Sequence, residues 1–296
     1  LSFLTPAELP TIEQLKDKVR EFAKRLLELK MALPVAEYYN GPVLFEGGAV
    51  ATIFANNLLN PGGLIAFRSL GSSQGNLENQ FGQKILDGRL TIKNYTAMKE
   101  YDGTPLYGYY EIDGDGVTPE AEMTLVEKGV FKRMLNGRFP TLKAPVSTGS
   151  ARFIFSPQSP TVTTGTGTIH IQAEKTVSPE KMKKALIKAA KEAGLPCAYI
   201  VRGVPGSALV VYRVDLKDGK ETRVRTSGFR MPDLTKLQKI MAISSREEVM
   251  NYLPNNSPAS MIYPAGMIVE GIVIDKVNPK TVKEPALKVP RQREQE

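Results

Sequence analysis

The sequence predicts an α+β fold, mainly antiparallel β in a barrel-like or layered sheet, with two or three helices on one face. Three observations carry this expectation. After Leu90, short apolar or alternating runs bounded by Gly, Pro, Asn and Asp recur through most of the chain, which is the pattern of many short strands. Only segments 11–32 and 178–193 repeat apolar residues at three- and four-residue spacing over enough length to be strong helices. A third, shorter helix follows a strand through a glycine pair.

Thr11 stands at the N-cap of the first helix, 11–32, and Gln14 completes a capping box. Ile12, Leu15, Val19, Phe22, Leu26 and Leu29 form one apolar stripe, with Lys16, Lys18, Arg20, Lys24 and Arg25 largely off it. Such a helix is expected to pack across the sheet that the next segment begins. That segment, 41–59, reads as strand, turn and helix. Gly41-Pro42 opens it, Val43-Leu44-Phe45 is a strand-type run, and Gly47-Gly48 frees the backbone for a sharp change of direction. Val50, Ile53, Phe54 and Leu58 then mark the inner side of a helix that Pro61-Gly62-Gly63 ends.

From Pro61 to Asn94 the chain is rich in Gly, Ser, Asn and Gln, and a long exposed excursion is expected. Leu106 to Ile112 and Met123 to Leu135 read as strands around Asp113-Gly114-Asp115-Gly116. Glu111, Asp113, Asp115 and Glu122 fit the spacing of a calcium loop, but strand-like flanks favour a tight Asp-Gly turn. Thr161 to Ala173 reads as a strand near a sheet edge and carries His170, the only histidine; without companion ligands it is expected to be a packed, hydrogen-bonding residue. Ser178 and Pro179 begin the second strong helix and Gly194 ends it. Cys197 opens an apolar strand as a buried, inert thiol. Strands near 208–214 and 222–225 follow, then a strand pair at Ser260–Ile262 and Met267–Ile274, and residues 276–296 form a proline-spaced basic tail.

Only Glu46 can ionise within the strand-turn-helix. A glutamate there can serve as a general base when a metal-bound water stands beside it, yet no His, Cys or Asp is adjacent. In Ser147-Thr148-Gly149-Ser150 with Arg152, hydroxyls, backbone N–H groups and a guanidinium could hold a peptide carboxylate; a structural turn accounts for the same residues equally well.

The stretch Tyr39 to Phe54 resembles the core segment of the TldD/PmbA family, zinc peptidases also labelled modulators of DNA gyrase. Gly108 to Val117, Leu125 to Val130 and Ser147 to Arg152 agree with that family in the expected order, and the resemblance extends from about Ala36 to about Lys288. It implies a strand-rich, barrel-like C-terminal domain that assembles as a dimer, with an additional N-terminal domain that this chain lacks. In peptidase-type members the segment carries His-Glu-x-x-x-His. Here Phe45 stands at the first histidine, Glu46 keeps the glutamate and Val50 stands at the second histidine. The cysteine ligand those members draw from nearer the C-terminus is missing too, since Ser260 to Ile268 holds none. The chain therefore resembles the metal-free, PmbA-like branch. Zinc is expected only in peptidase-type relatives, and this chain is expected to have no cofactor.

These readings lead to a peptide-binding or partner subunit with a degenerate zinc site, retaining Glu46, with Ser147, Thr148, Gly149 and Arg152 as binding candidates. Expected partners are an unfolded peptide and either a second copy or a peptidase-type relative. One alternative is an active metallopeptidase using oxygen ligands such as Glu46, Glu111, Asp113 and Asp115; another is a DNA- or gyrase-associated modulator. The 39 basic and 31 acidic side chains give +8, but the positive charge is divided among helix faces and the tail, without the concentrated basic stripe of a nucleic-acid site. No apolar run approaches the roughly 20 residues of a membrane span. One cysteine excludes an internal disulfide and suits a cytoplasmic protein better than an exported one. The chain starts at Leu1, so a signal peptide upstream is also compatible with it.

Overall fold

The computed structural model describes residues 9–66, 77–141, 143–154, 159–203, 209–226 and 228–277. Nearly all of the expected basic tail, from residue 278 on, lies outside the described residues, as do residues 67–76 of the glycine-rich stretch.

Strands are numbered along the chain. One sheet runs β1 (Leu33–Pro34), β13 (Glu221–Arg225), β12 (Val210–Asp215), β11 (Cys197–Gly203), β2 (Tyr39–Gly47) and β18 (Gly266–Asp275). Along the outer edge of β18 lie β14 (Gly228–Phe229) and β15 (Ile240–Ile243), one after the other. The second sheet runs β16 (Glu247–Tyr252), β17 (Ala259–Pro264), β10 (Thr168–Ala173), β3 (Leu90–Tyr95), β6 (Glu122–Glu127) and β7 (Val130–Phe131). Hairpins β4–β5 (Glu100–Tyr101, Thr104–Pro105) and β8–β9 (Ala151–Ile154, Thr161–Thr164) complete the described β structure. Most pairings are antiparallel, as expected; β1 with β13, β11 with β2 and β10 with β17 are parallel.

The expected pair Ser260–Ile262 with Met267–Ile274 does not form. Ala265 turns a corner between them, so β17 belongs to the second sheet and β18 to the first. Each takes a more distant partner, β16 and β15 respectively, and residues 240–252 and 259–269 make one bent hairpin shared by both sheets.

Strict alternation divides the core. Val43 and Phe45 of β2, Tyr199 and Val201 of β11, and Met267 and Val269 of β18 face the large core between the sheets, which also takes in helix α2 (Gly48–Leu58). Leu44, Ala198, Ile200, Val214 and Ile268 face the other way, against Met182, Leu186 and Ala190 of helix α3 (Pro179–Glu192). The two helices thus take opposite faces of the first sheet, where one shared face was expected. A four-residue helix, α4 (Leu234–Leu237), was not foreseen.

Helix α1 (Ile12–Met31) has the expected capping box, with Thr11 Oγ1 accepting from the Gln14 N–H and Gln14 Oε1 accepting from the Thr11 N–H. It does not pack across the sheet. Ile12 is 72% exposed, Val19 66% and Phe22 62%, because both faces of that sheet are already covered by other elements. Its C-terminal end is tied down by Arg225 Nε donating to Ala32 O at 2.9 Å and an Arg223–Glu28 ion pair at 3.5 Å.

Three further expectations are corrected. The described parts of 61–94 are stitched into the large core by Leu64, Leu77, Ile85, Leu86 and Leu90, the last opening β3, so this is not an exposed excursion. Residues 106–112 are irregular rather than a strand; the Tyr107 and Gly108 N–H groups both donate to Ser260 Oγ. The stretch 161–173 breaks at Gly165-Thr166-Gly167 into β9 and β10, and β10 lies inside the second sheet, between β3 and β17, not at an edge. Among the described residues, no helix is long and apolar enough to cross a membrane.

Candidate functional site

Strand β2 runs into α2 without an intervening loop. Gly47 makes the turn at φ 58° and ψ −136°, a conformation that a side chain strongly disfavours. Its N–H donates to Ala265 O at 2.9 Å, which ties the junction to the corner of the bent hairpin. Gly203, at the end of β11, lies so close to the start of α2 that a Cβ there would sit 2.9 Å from Ala49 N.

Beside this junction, beyond the N-terminal end of α3, opens a cavity of about 360 Å³. Its charged lining comes from Glu46, Arg202, Arg223, Arg246 and Glu248, its apolar lining mainly from Pro179, Met182, Val210 and Ala265. Alternation explains why the charges converge. Glu46 follows Leu44 and Arg202 follows Ile200 on the face covered by α3, and where α3 ends these positions meet solvent instead of a helix.

Arg202 is the centre of the charge network. Its Nε donates to Glu46 Oε2 at 2.6 Å, and Nη1 donates to Glu221 Oε2 at 2.5 Å. Lys183 of α3 reaches Glu221 Oε1 at 2.8 Å. The Arg202 guanidinium also lies 5.0 Å from the centre of the Tyr212 ring. Burial by itself would lower the Arg202 pKa, but the carboxylates of Glu221 and Glu46 outweigh it and raise it above the ordinary value. Burial would likewise raise Glu221, and its bonds to Arg202 and Lys183 bring it below the usual carboxylate range. Arg246 pairs with Glu248 at 2.8 Å. No histidine or cysteine lines the cavity, and the Ser244 hydroxyl accepts from the Arg246 N–H at 3.2 Å. The lining thus combines paired charges with an apolar floor, and among the described residues it brings no nucleophile and base into hydrogen-bond reach.

Phe45 and Val50, at the two positions where the resemblance places histidines, are both fully buried in the large core, and Phe45 lies 6.5 Å from Phe229, ring centre to ring centre. Phe45 points to the opposite side of β2 from Glu46. These donors do not fit zinc: two positions offer only carbon, and the remaining carboxylate is engaged by Arg202. The oxygen-only set is not gathered either. Among the described residues no three His, Cys, Asp or Glu side chains converge as a metal site. Asp113 instead organises the Asp-Gly turn: its Oδ1 accepts from the Asp115 and Val117 N–H groups at 2.9 and 2.8 Å, and Oδ2 from the Ala151 N–H at 3.0 Å.

The segment Ser147 to Arg152 lies elsewhere and contributes nothing to the cavity lining. Thr148 Oγ1 accepts from the Asn136 N–H at 2.7 Å and bonds to Ser150 Oγ at 2.9 Å. Gly149, at φ 65°, approaches Pro119 so closely that a Cβ would fall 2.7 Å from its Cα, and Ser147 Oγ accepts from the Gly149 N–H. Arg152 is buried, stacks 4.0 Å from the Tyr110 ring centre and donates to Pro258 O at 2.7 Å. His170 is packed as expected: it is buried, with Nε2 3.1 Å from both Glu247 oxygens, and Tyr101 also bonds Glu247. Cys197 is buried.

Of this charged lining the sequence singles out Glu46 and leaves Arg202, Arg223, Arg246 and Glu248 unmarked. The one local signal was a charged residue closing an otherwise apolar strand, Arg202 after Ile200-Val201 and before Gly203.

The sequence pattern of the PmbA/TldA metallopeptidase C-terminal domain matches residues 39–195, just over half of the chain. Among curated proteins none matches. Similar solved structures include TldE from Thermococcus kodakarensis, 20% identical over 81% of this chain and 51% of that one, with a TM-score of 0.58. A protein described as a modulator of DNA gyrase from Bacteroides thetaiotaomicron is 14% identical over 87% of this chain and 52% of its own, with a TM-score of 0.53. Another so described, from Thermotoga maritima, is 16% identical over 83% and 51%, with a TM-score of 0.49. The likeness to the first two is one of fold, and this chain spans about half the length of each.

Proposed function

Since this chain belongs to the PmbA/TldA metallopeptidase C-terminal domain family, we propose that it is a peptide-binding or partner subunit of a proteolysis-related system and not the subunit that hydrolyses. The observation that carries the reading is the burial of Phe45 and Val50 in the apolar core, on the far side of β2 from Glu46. Without imidazoles there, nothing lowers the pKa of a bound water toward neutrality, and Glu46 in its ion pair with Arg202 has no such water to activate.

The cavity at the β2–α2 junction is the proposed place for an unfolded peptide. Its apolar floor suits side chains, and its alternating cations and carboxylates suit the polar main chain and the ends of an extended segment. Assembly with a second copy or with a peptidase-type relative is part of the same proposal.

The test measures zinc content after reloading, cleavage of an unfolded fluorogenic peptide, and binding of the same peptide labelled for anisotropy. Substoichiometric zinc, no chelator-sensitive cleavage, and binding weakened by Arg246→Ala are expected. Stoichiometric zinc together with chelator-sensitive cleavage would overturn the reading.

A further inference from the structure

Helix α1 stands out from the body with an apolar seam in solvent. Ile12, Leu15, Val19, Phe22, Leu26 and Leu29 are all at least 41% exposed and follow one another at intervals of three and four residues without a break. That spacing is the heptad of a coiled-coil seam, with Ile12, Val19 and Leu26 at a and Leu15, Phe22 and Leu29 at d. A two-per-heptad seam is narrower than the stripe of an ordinary core-facing helix, and its 3.5-residue period tracks a partner helix rather than a flat surface.

The flanks say what kind of partner. Within α1 the positions bordering the seam, e and g, are Lys16, Ala23, Lys30 and Lys18, Arg25, with no carboxylate among them. The acidic residues Glu13, Asp17, Glu21 and Glu28 fall on the outer positions instead. Lys16 pairs with Glu13 within the helix at 2.8 Å, but both side chains are more than half exposed, and such a pair exchanges readily. A second copy would set cation against cation along both borders, in an antiparallel pair Lys16 against Lys30 and Lys18 against Arg25. A helix with glutamates at its own e and g positions would satisfy every one of them.

We propose that α1 is a docking helix for an amphipathic partner helix of acidic border, distinct from the ligand of the cavity. The test titrates two labelled synthetic helices of three heptads, both with Leu at a and d, one with Glu and one with Lys at every e and g, into the full chain. The Glu-bordered helix is expected to bind about tenfold or more tightly than the Lys-bordered one and to weaken as salt rises. Val19→Asp with Phe22→Asp should abolish binding, with the thermal melt of the body unchanged because both side chains are exposed. Lys16→Glu, Lys18→Glu and Lys30→Glu together should invert the preference. Equal binding of the two helices, or binding of neither, would overturn the proposal. So would concentration-dependent self-association lost in Phe22→Asp, which would assign the seam to a second copy, or uptake by phosphatidylserine vesicles without any preference between the helices.

Discussion

Glu46 and Arg202 are register partners on neighbouring parallel strands, and the guanidinium Nε of one donates to Oε2 of the other at 2.6 Å. Arg202 is also shared with Glu221, so one cation serves two carboxylates, and Lys183 gives Glu221 a second partner. Arg202→Ala is therefore expected to cost about 1–2 kcal/mol at neutral pH, and Glu46→Gln about 0.5 kcal/mol, both modest because the side chains are partly exposed. Urea unfolding measures the difference. Glu221 is held below its ordinary value, so the stabilisation it gives is present above the unfolded pKa and is lost as pH falls through the folded one. The gap between wild type and Arg202→Ala should narrow in acid.

Asp87 supplies a second, sharper pH dependence. Burial by itself would raise its pKa, but hydrogen bonds from the Arg89 side chain and from the Arg89 and Ile240 N–H groups bring it down from 3.8 to about 2. The carboxylate thereby ties the start of β3 to β15. Its contribution is complete above pH 4 and disappears as pH falls toward 2. Asp87→Asn is expected to lose about 2 kcal/mol at pH 7 and to flatten the acid limb of the stability curve between those values.

Phe45→Ala removes a fully buried ring from the large core and is expected to cost about 3–5 kcal/mol. Phe45→His with Val50→His creates the His-Glu-x-x-x-His motif that the resemblance assigns to peptidase-type members. The new imidazoles would point into hydrocarbon, away from Glu46, so the double variant should melt lower than wild type and gain no zinc-dependent rise in melting temperature. Thermal melts with and without zinc check both statements.

Gly203→Ala forces a methyl group against the backbone at the start of α2, with Leu209 on its other side. Overpacking of this kind costs about 1–3 kcal/mol. Because the displaced helix start adjoins Glu46, the proposed binding of an unfolded peptide should weaken along with stability, read by anisotropy beside a denaturation curve.

The legible parts of the fold were those written in local sequence. Thr11 and Gln14 announced the start of α1, the Gly47-Gly48 pair announced the β2–α2 junction, and the spacing of Val50, Ile53, Phe54 and Leu58 gave the buried side of α2. Where expectation failed, a distant segment had decided. Local pattern pairs Met267–Ile274 with its neighbour Ser260–Ile262, whereas Ala265 sends the two into different sheets. The Gly and Thr residues around His170 suggest a strand near an edge, but β3 and β17 close both sides of that strand.

By itself the sequence determined that the chain is strand-rich, that α1 and α3 are amphipathic, and that Phe45 and Val50, on either side of Glu46, carry no metal-binding atom. Tertiary structure alone decided that Glu46 meets Arg202, 156 residues further on, and that the stripe of α1 faces solvent. Helix caps and periodicity act over a few residues and leave a local trace, whereas parallel pairing and the occupancy of a sheet face depend on segments far apart in the chain, whose mutual register no short stretch encodes.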